Sequence, residues 1–167
     1  MLKKSAWLTF LFLLATLIAS AQQSPCTQDA GFRQLDFWVG HWRVETPDGQ
    51  LAGHNKIEII LDSCIVFENW TGAGVSRGKS FNYYNAKTNK WHQHWVDNFG
   101  NSLKFEGEAT DGEIVYTGTS FSSDGKMVFD VLTLTKVNDD EVRQIWRQSK
   151  AGGEWKIVFD GRYLREK

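Results

Sequence analysis

Nowhere does the sequence hold an apolar run of the about 20 residues that a helix needs to cross a bilayer. It has only two cysteines, Cys26 and Cys64, and they lack the paired spacing of structural zinc sites. No HExxH helix, nucleophile elbow, phosphate-cradling glycine loop or dinucleotide fingerprint is present. The enzyme classes built on those motifs are excluded. Charge of one sign is not in excess either. Taking Lys3 and Lys4 from the 19 basic residues leaves 17 against 20 acidic ones, a net charge of −3 past the leader. Such a chain offers no electrostatic footprint for nucleic acid or for an anionic membrane. Linkers, low-complexity tracts and repeats longer than a hairpin are absent too, which leaves a single domain.

What is present begins with a leader. Lys3 and Lys4 precede a thirteen-residue apolar run, Ala6 to Ile18, and Ala19-Ser20-Ala21 is a small-residue cleavage signal. Residues 1–21 therefore read as a signal peptide. The mature chain from Gln22 is expected in the periplasm or outside the cell, with no membrane insertion after cleavage. There Cys26 and Cys64 either form a disulfide or remain a frayed thiol and a buried one.

From Trp42 onward apolar and polar residues alternate between turn signals such as Pro47-Asp48-Gly49, Thr110-Asp111-Gly112, Ser123-Asp124-Gly125 and Ala151-Gly152-Gly153. This pattern predicts about ten antiparallel strands, near 41–46, 54–62, 64–71, 78–85, 90–97, 102–109, 113–121, 126–137, 141–149 and 154–165. Only Thr27 to Val39 has helical spacing, with Phe32, Leu35, Trp38 and Val39 on one face and Gly40 as a stop. The expected fold is all-β: an N-terminal segment over 22–40 with a short capping helix, then an up-and-down barrel over 41–167. A ten-stranded meander can close and so avoid exposed edges. An open two-sheet sandwich is the alternative.

The stretch Leu35-Asp36-Phe37-Trp38-Val39-Gly40-His41-Trp42 resembles the opening of an uncharacterised family of secreted bacterial lipocalin-like proteins, related to the calycin barrels. The calycin feature is Gly-x-Trp on the first strand, here Gly40-His41-Trp42, covered by an arginine near the end of the last. Arg162 or Arg165 can serve as that arginine. Glu68-Asn69-Trp70, Asn82-Tyr83-Tyr84, Trp91 to Asp97 and Arg143-Gln144-Ile145-Trp146 extend the resemblance along most of the mature chain. It implies a calycin barrel and carries no activity with it. The helix pair of fatty-acid-binding proteins and the helix that follows lipocalin barrels are missing, so their ligand residues do not transfer.

Strand alternation predicts which side chains meet. In Lys90-Trp91-His92-Gln93-His94-Trp95-Val96-Asp97, one face holds Trp91, Gln93, Trp95 and Asp97, and the other His92, His94 and Val96. Tyr84 and Trp91 are natural partners across their turn, which joins Asn82 and Tyr84 to the first face. Glu141, Arg143 and Arg147 are three charges on one side of a later strand, which turns Gln144 and Trp146 inward. A lumen lined by Glu68, Trp70, Asn82, Tyr84, Gln93, Trp95, Asp97, Gln144 and Trp146 results, with Trp38 and Trp42 closing its lower end. Aromatic walls with a few placed polar groups suit a small, partly apolar ligand. Binding without a cofactor is the leading expectation. An isomerase, cyclase or hydrolase using Glu68 or Asp97 as acid or base is the second. Haem or metal binding through His92 or His94 is the third, and it requires those histidines to face inward, with His41, His54, Glu68 or Asp97 completing a ligand set.

Overall fold

The computed structural model describes residues 24–167, so the leader expected over residues 1–21 lies outside the described residues. Ten strands follow in antiparallel order: β1 (Gly40–Glu45), β2 (Leu51–Ile60), β3 (Ile65–Gly72), β4 (Arg77–Asn85), β5 (Lys90–Asp97), β6 (Ser102–Thr110), β7 (Glu113–Phe121), β8 (Met127–Asn138), β9 (Glu141–Lys150) and β10 (Lys156–Arg165). Each pairs with its neighbours in sequence, and β1 pairs with β10, so the sheet closes into a barrel and the sandwich alternative is set aside. The closure is antiparallel, with Trp42 opposite Arg165 and Val44 opposite Tyr163. Among the described residues no helix is long and apolar enough to cross a membrane.

The N-terminal segment departs from the single helix expected over Thr27 to Val39. It breaks into α1 (Pro25–Gln28) and two 3-10 turns, Ala30–Arg33 and Asp36–Trp38. Asp29 is the reason. Its carboxylate accepts from the Gly31 amide at 2.7 Å, an Asx-type bond that competes with helix continuation. The apolar residues still reach the core, because three short turns drape over the barrel end as well as one helix would. Leu35 and Trp38 are fully buried there. Phe32 meets Tyr84 edge-on at 5.2 Å, and the Trp91 indole N–H donates to Gln34 at 3.0 Å. Together these residues plug the end of the barrel at which the β2–β3, β4–β5, β6–β7 and β8–β9 turns gather.

A disulfide between Cys26 and Cys64 ties the plug to the β2–β3 turn. That turn has no glycine, although Leu61, Asp62 and Ser63 all take positive φ, at 51°, 49° and 73°. Such backbone costs about 1–3 kcal/mol per non-glycine residue and persists where surroundings over-determine it. Here Cys64 donates its amide to Leu61, Arg33 donates to the Ser63 carbonyl at 2.7 Å, and the disulfide adds a covalent hold.

Below the lumen, Trp42 is fully buried and its indole donates to the Trp38 carbonyl at 2.8 Å. The Arg165 guanidinium lies 4.1 Å over the Trp42 ring and donates to the Val39 carbonyl at 2.9 Å. Arg162 turns away to Glu141, so of the two candidate arginines Arg165 covers the tryptophan. Gly40, at φ 146°, is where Arg165 lies across the backbone, and a Cβ there would strike its guanidinium. The core continues through Val44, Ile57, Val66, Trp91, Phe105, Ile114, Tyr116, Leu132, Leu134, Val142 and Tyr163. Fully burying side chains of this size contributes about 1.5–3 kcal/mol each.

Candidate functional site

Inward positions alternate along every strand, and the register stacks them into a polar floor beneath a more open aromatic half. Opposed pairs set the floor: Ile57 with Glu68, Glu68 with Ser80, Val66 with Asn82, and Asn82 with Gln93. Glu68 is 5 % exposed. One of its oxygens accepts from Asn55 at 2.7 Å and the other from the Ser80 hydroxyl at 2.6 Å. Burial raises its pKa above the ordinary value, and the bonds from Ser80 and Asn55 only partly oppose that. Asn82, fully buried, donates to the Val66 carbonyl and to Ser80, and accepts from Gln93 at 2.9 Å and from the Tyr116 hydroxyl at 3.2 Å. Tyr163 donates to Gln144 at 2.6 Å. Burial, and then the nearby Glu68 charge, push the Tyr116 and Tyr163 hydroxyls well above the ordinary tyrosine range, so both stay neutral donors. One acceptor in this network has no partner: Oδ1 of Asn55, a residue 2 % exposed.

Above the floor, inward-facing Trp70, Trp95, Leu103, Gln144, Trp146, Gln148 and Phe159 are only partly buried. Solvent therefore reaches these side chains from the end opposite the plug. Several rings lie against glycines of the same or the next strand. A Cβ on Gly78 would fall within the Trp95 indole, one on Gly53 would come within 2.8 Å of Trp70, and one on Gly161 within 2.6 Å of Phe159. Missing side chains in the wall let the rings lie flat along it instead of meeting at the centre.

Of the residues expected in the lumen, Glu68, Asn82 and Gln93 gather at the floor, and Trp70, Trp95, Gln144 and Trp146 lie in the more open half. Two stand elsewhere. Tyr84 packs under Phe32 at the plug, 5.9 Å from Trp91, and its hydroxyl donates to Asn89. Asp97 sits at the open rim and caps its own hairpin: one oxygen accepts from the Phe99 and Asn101 amides, the other from the Asn101 side chain. Its partial burial pulls the pKa up, but the bonds from Asn101, Phe99 and Gly100 outweigh that and hold the carboxyl below the usual range. An acid–base pair of Glu68 with Asp97 is therefore not assembled. No hydrogen bond joins them, and the oxygens of Asp97 are held by its turn.

A lumenal carboxylate that sequence reasoning missed is Asp130, 2 % exposed. It accepts from the Trp146 indole at 2.8 Å, from Gln148 at 2.9 Å and from the Ser120 hydroxyl at 2.7 Å. Its strand, Val128-Phe129-Asp130-Val131-Leu132, is apolar on both faces, so alternation alone is silent there. The available signal was register: Asp130 stands opposite Gln148, two pairs above Leu132 and the inward Trp146 and so on the same face.

His92 and His94 lie on the outer wall, with His92 stacked on Tyr83 at 5.1 Å. His41 and His54 also face outward, and His54 pairs with Glu166 at 3.0 Å. A lumenal haem or metal reading thus has no inward histidine to work with, and among the described residues no three His, Cys, Asp or Glu side chains gather around a common point. Two clefts lie outside the lumen. One, of about 370 Å³, lies between the plug and the β6–β7 turn, and a shallower one crosses the outer wall near His92 and Phe129. Compared with protein-family models and with curated proteins, the chain matches none.

Proposed function

We propose that this chain is an exported, calycin-like barrel that takes a small, partly apolar molecule into the open half of its lumen. The observation that carries the reading is the layering of partly exposed Trp70, Trp95, Trp146 and Phe159 over a buried, hydrogen-bonded floor. Aromatic walls with a few fixed polar groups are what a small-molecule site needs: area to desolvate, and directional groups to orient the guest. The plugged lower end supports the same reading, since a lumen closed at one end holds a guest instead of conducting it. Arg165 over Trp42 supports the calycin likeness. Export draws support from the Cys26–Cys64 bond, which persists in oxidising compartments, and from the leader-like residues 1–21.

The site favours binding over catalysis. Glu68, the candidate acid, has both oxygens engaged by Asn55 and Ser80 beneath the open space. Native mass spectrometry of the protein purified from its own source is the direct test. The expected result is a co-purified molecule of a few hundred daltons that is lost in a Trp95→Ala, Trp146→Ala variant. Retention of that molecule by the variant would rule the lumen out.

A further inference from the structure

We propose that the lumen selects a protonated amine carried on an apolar or aromatic body, held by Asp130 and faced by the rim tryptophans. This rests on the lumenal binding reading above and specifies the chemistry of the guest.

The inventory of charges and donors leads to it. Between the rim and the Trp42 layer at the closed end, the inward-facing positions include two carboxyls, Glu68 and Asp130, and no lysine, arginine or histidine. The open end carries charges of both signs: Asp48, Arg77, Asp97, Asp124 between Lys126 at 3.6 Å and Lys150 at 3.2 Å, Glu154 and Lys156. At the closed end Lys136 pairs with Asp139 and Arg165 covers Trp42. No cation inside the lumen neutralises Asp130. A carboxylate offers about four acceptor positions. Three at Asp130 are taken by Trp146, Gln148 and Ser120, all neutral donors. That leaves room for one charge-assisted bond, the strongest kind available to it.

A second, independent observation points to the same shortage. Oδ1 of Asn55 is buried and accepts from nothing, whereas its amide nitrogen is committed to Glu68. Asp130 and Asn55 thus each keep an acceptor position that an ammonium group could fill. A carboxylate or phosphate guest would add negative charge to a desolvated acidic site with no compensating cation, which is unfavourable. An ammonium meets the opposite situation, because the faces of Trp70, Trp95 and Trp146 attract cations electrostatically and do so more strongly away from water.

The test is a matched series differing only in the head group: phenethylamine, 2-phenylethanol and 3-phenylpropionate. Each is titrated at pH 7 into the full mature protein by calorimetry and tryptophan emission, with the neutral dye Nile red in parallel. The amine is expected to bind at least tenfold tighter than the alcohol and the acid not to saturate. Asp130→Asn should reduce the amine-to-alcohol ratio to near one, with Glu68→Gln as a second, near-isosteric variant that should lower it less. Binding of the acid as tight as that of the amine would overturn the proposal, and so would an unchanged ratio in Asp130→Asn. If Nile red binds and no amine competes with it, the amine inference fails while the lumenal reading stands. If neither the dye nor any member of the series binds, both fail.

Discussion

Cutting the Cys26–Cys64 bond is a clean perturbation, since it removes a covalent tie between the plug and the barrel without touching the lumen. The two cysteines are 38 residues apart. Releasing a loop of that size from the unfolded chain costs the folded state about 4 kcal/mol of relative stability in the chain-entropy account. For a domain of this size about 1 kcal/mol corresponds to roughly 3 °C of Tm, so a fall of about 12 °C is expected. Relaxation of the strained turn over Leu61, Asp62 and Ser63 would offset part of the loss. It is limited, because the Arg33 bond to Ser63 and the Cys64 amide bond to Leu61 remain. The assay is thermal and urea unfolding, followed by circular dichroism, of the oxidised protein, the reduced protein and a Cys26→Ser, Cys64→Ser variant. Reduced protein and double variant should agree, with the urea slope little changed because Leu35 and Trp38 keep the plug docked. A loss below about 1 kcal/mol would refute the reasoning, since the tie would then not be constraining the unfolded ensemble.

Other outcomes follow from the same geometry. The folded Glu68 carboxyl keeps its proton to higher pH than the unfolded one, so its contribution to stability is fully present below the unfolded pKa and is lost as pH rises through the folded one. Glu68→Gln should therefore gain stability over the wild type as pH rises from 4 to 8, measured as unfolding midpoints; parallel curves would contradict the burial argument. Arg165→Ala removes the cover of Trp42 and the bond to the Val39 carbonyl, with an expected loss of about 1–3 kcal/mol in urea unfolding and a shifted tryptophan emission. Gly78→Ala should force the Trp95 ring off the wall, reducing ligand uptake and costing about 1–3 kcal/mol. Asp97→Ala, by contrast, should loosen only the β5–β6 hairpin, visible as faster amide exchange at Phe99 and Asn101, and leave lumenal binding unchanged.

The strands were legible because one face of each meets water. In β6, Lys104, Glu106 and Glu108 point out and turn Leu103 and Phe105 in, and β5 follows by pairing. Where both faces are apolar, as around Asp130, periodicity loses its meaning and the facing has to come from register. Asn55 was within reach, since His54, Lys56 and Glu58 alternate outward around it, but its role depends on the Glu68 contact across β2 and β3, which a single strand does not display. The plug was misread as one helix because helical spacing reports only that Leu35 and Trp38 share a buried side, and consecutive 3-10 turns satisfy that too. The β2–β3 turn escaped notice for lack of a glycine: its positive φ angles are imposed by a disulfide and an arginine rather than by local preference.

The glycine-backed rings have a consequence for how such a lumen can diverge. Enlarging Gly78 alone collides with Trp95, the nearest neighbour a Cβ there would meet, and shrinking the ring alone leaves a bare patch of wall. Only a coordinated exchange across two strands conserves volume. The cavity is therefore altered there through a linked pair of positions, passing through an unfavourable intermediate. Guest preference in a lineage built this way changes in jumps, and residues facing one another across adjacent strands should be inherited together.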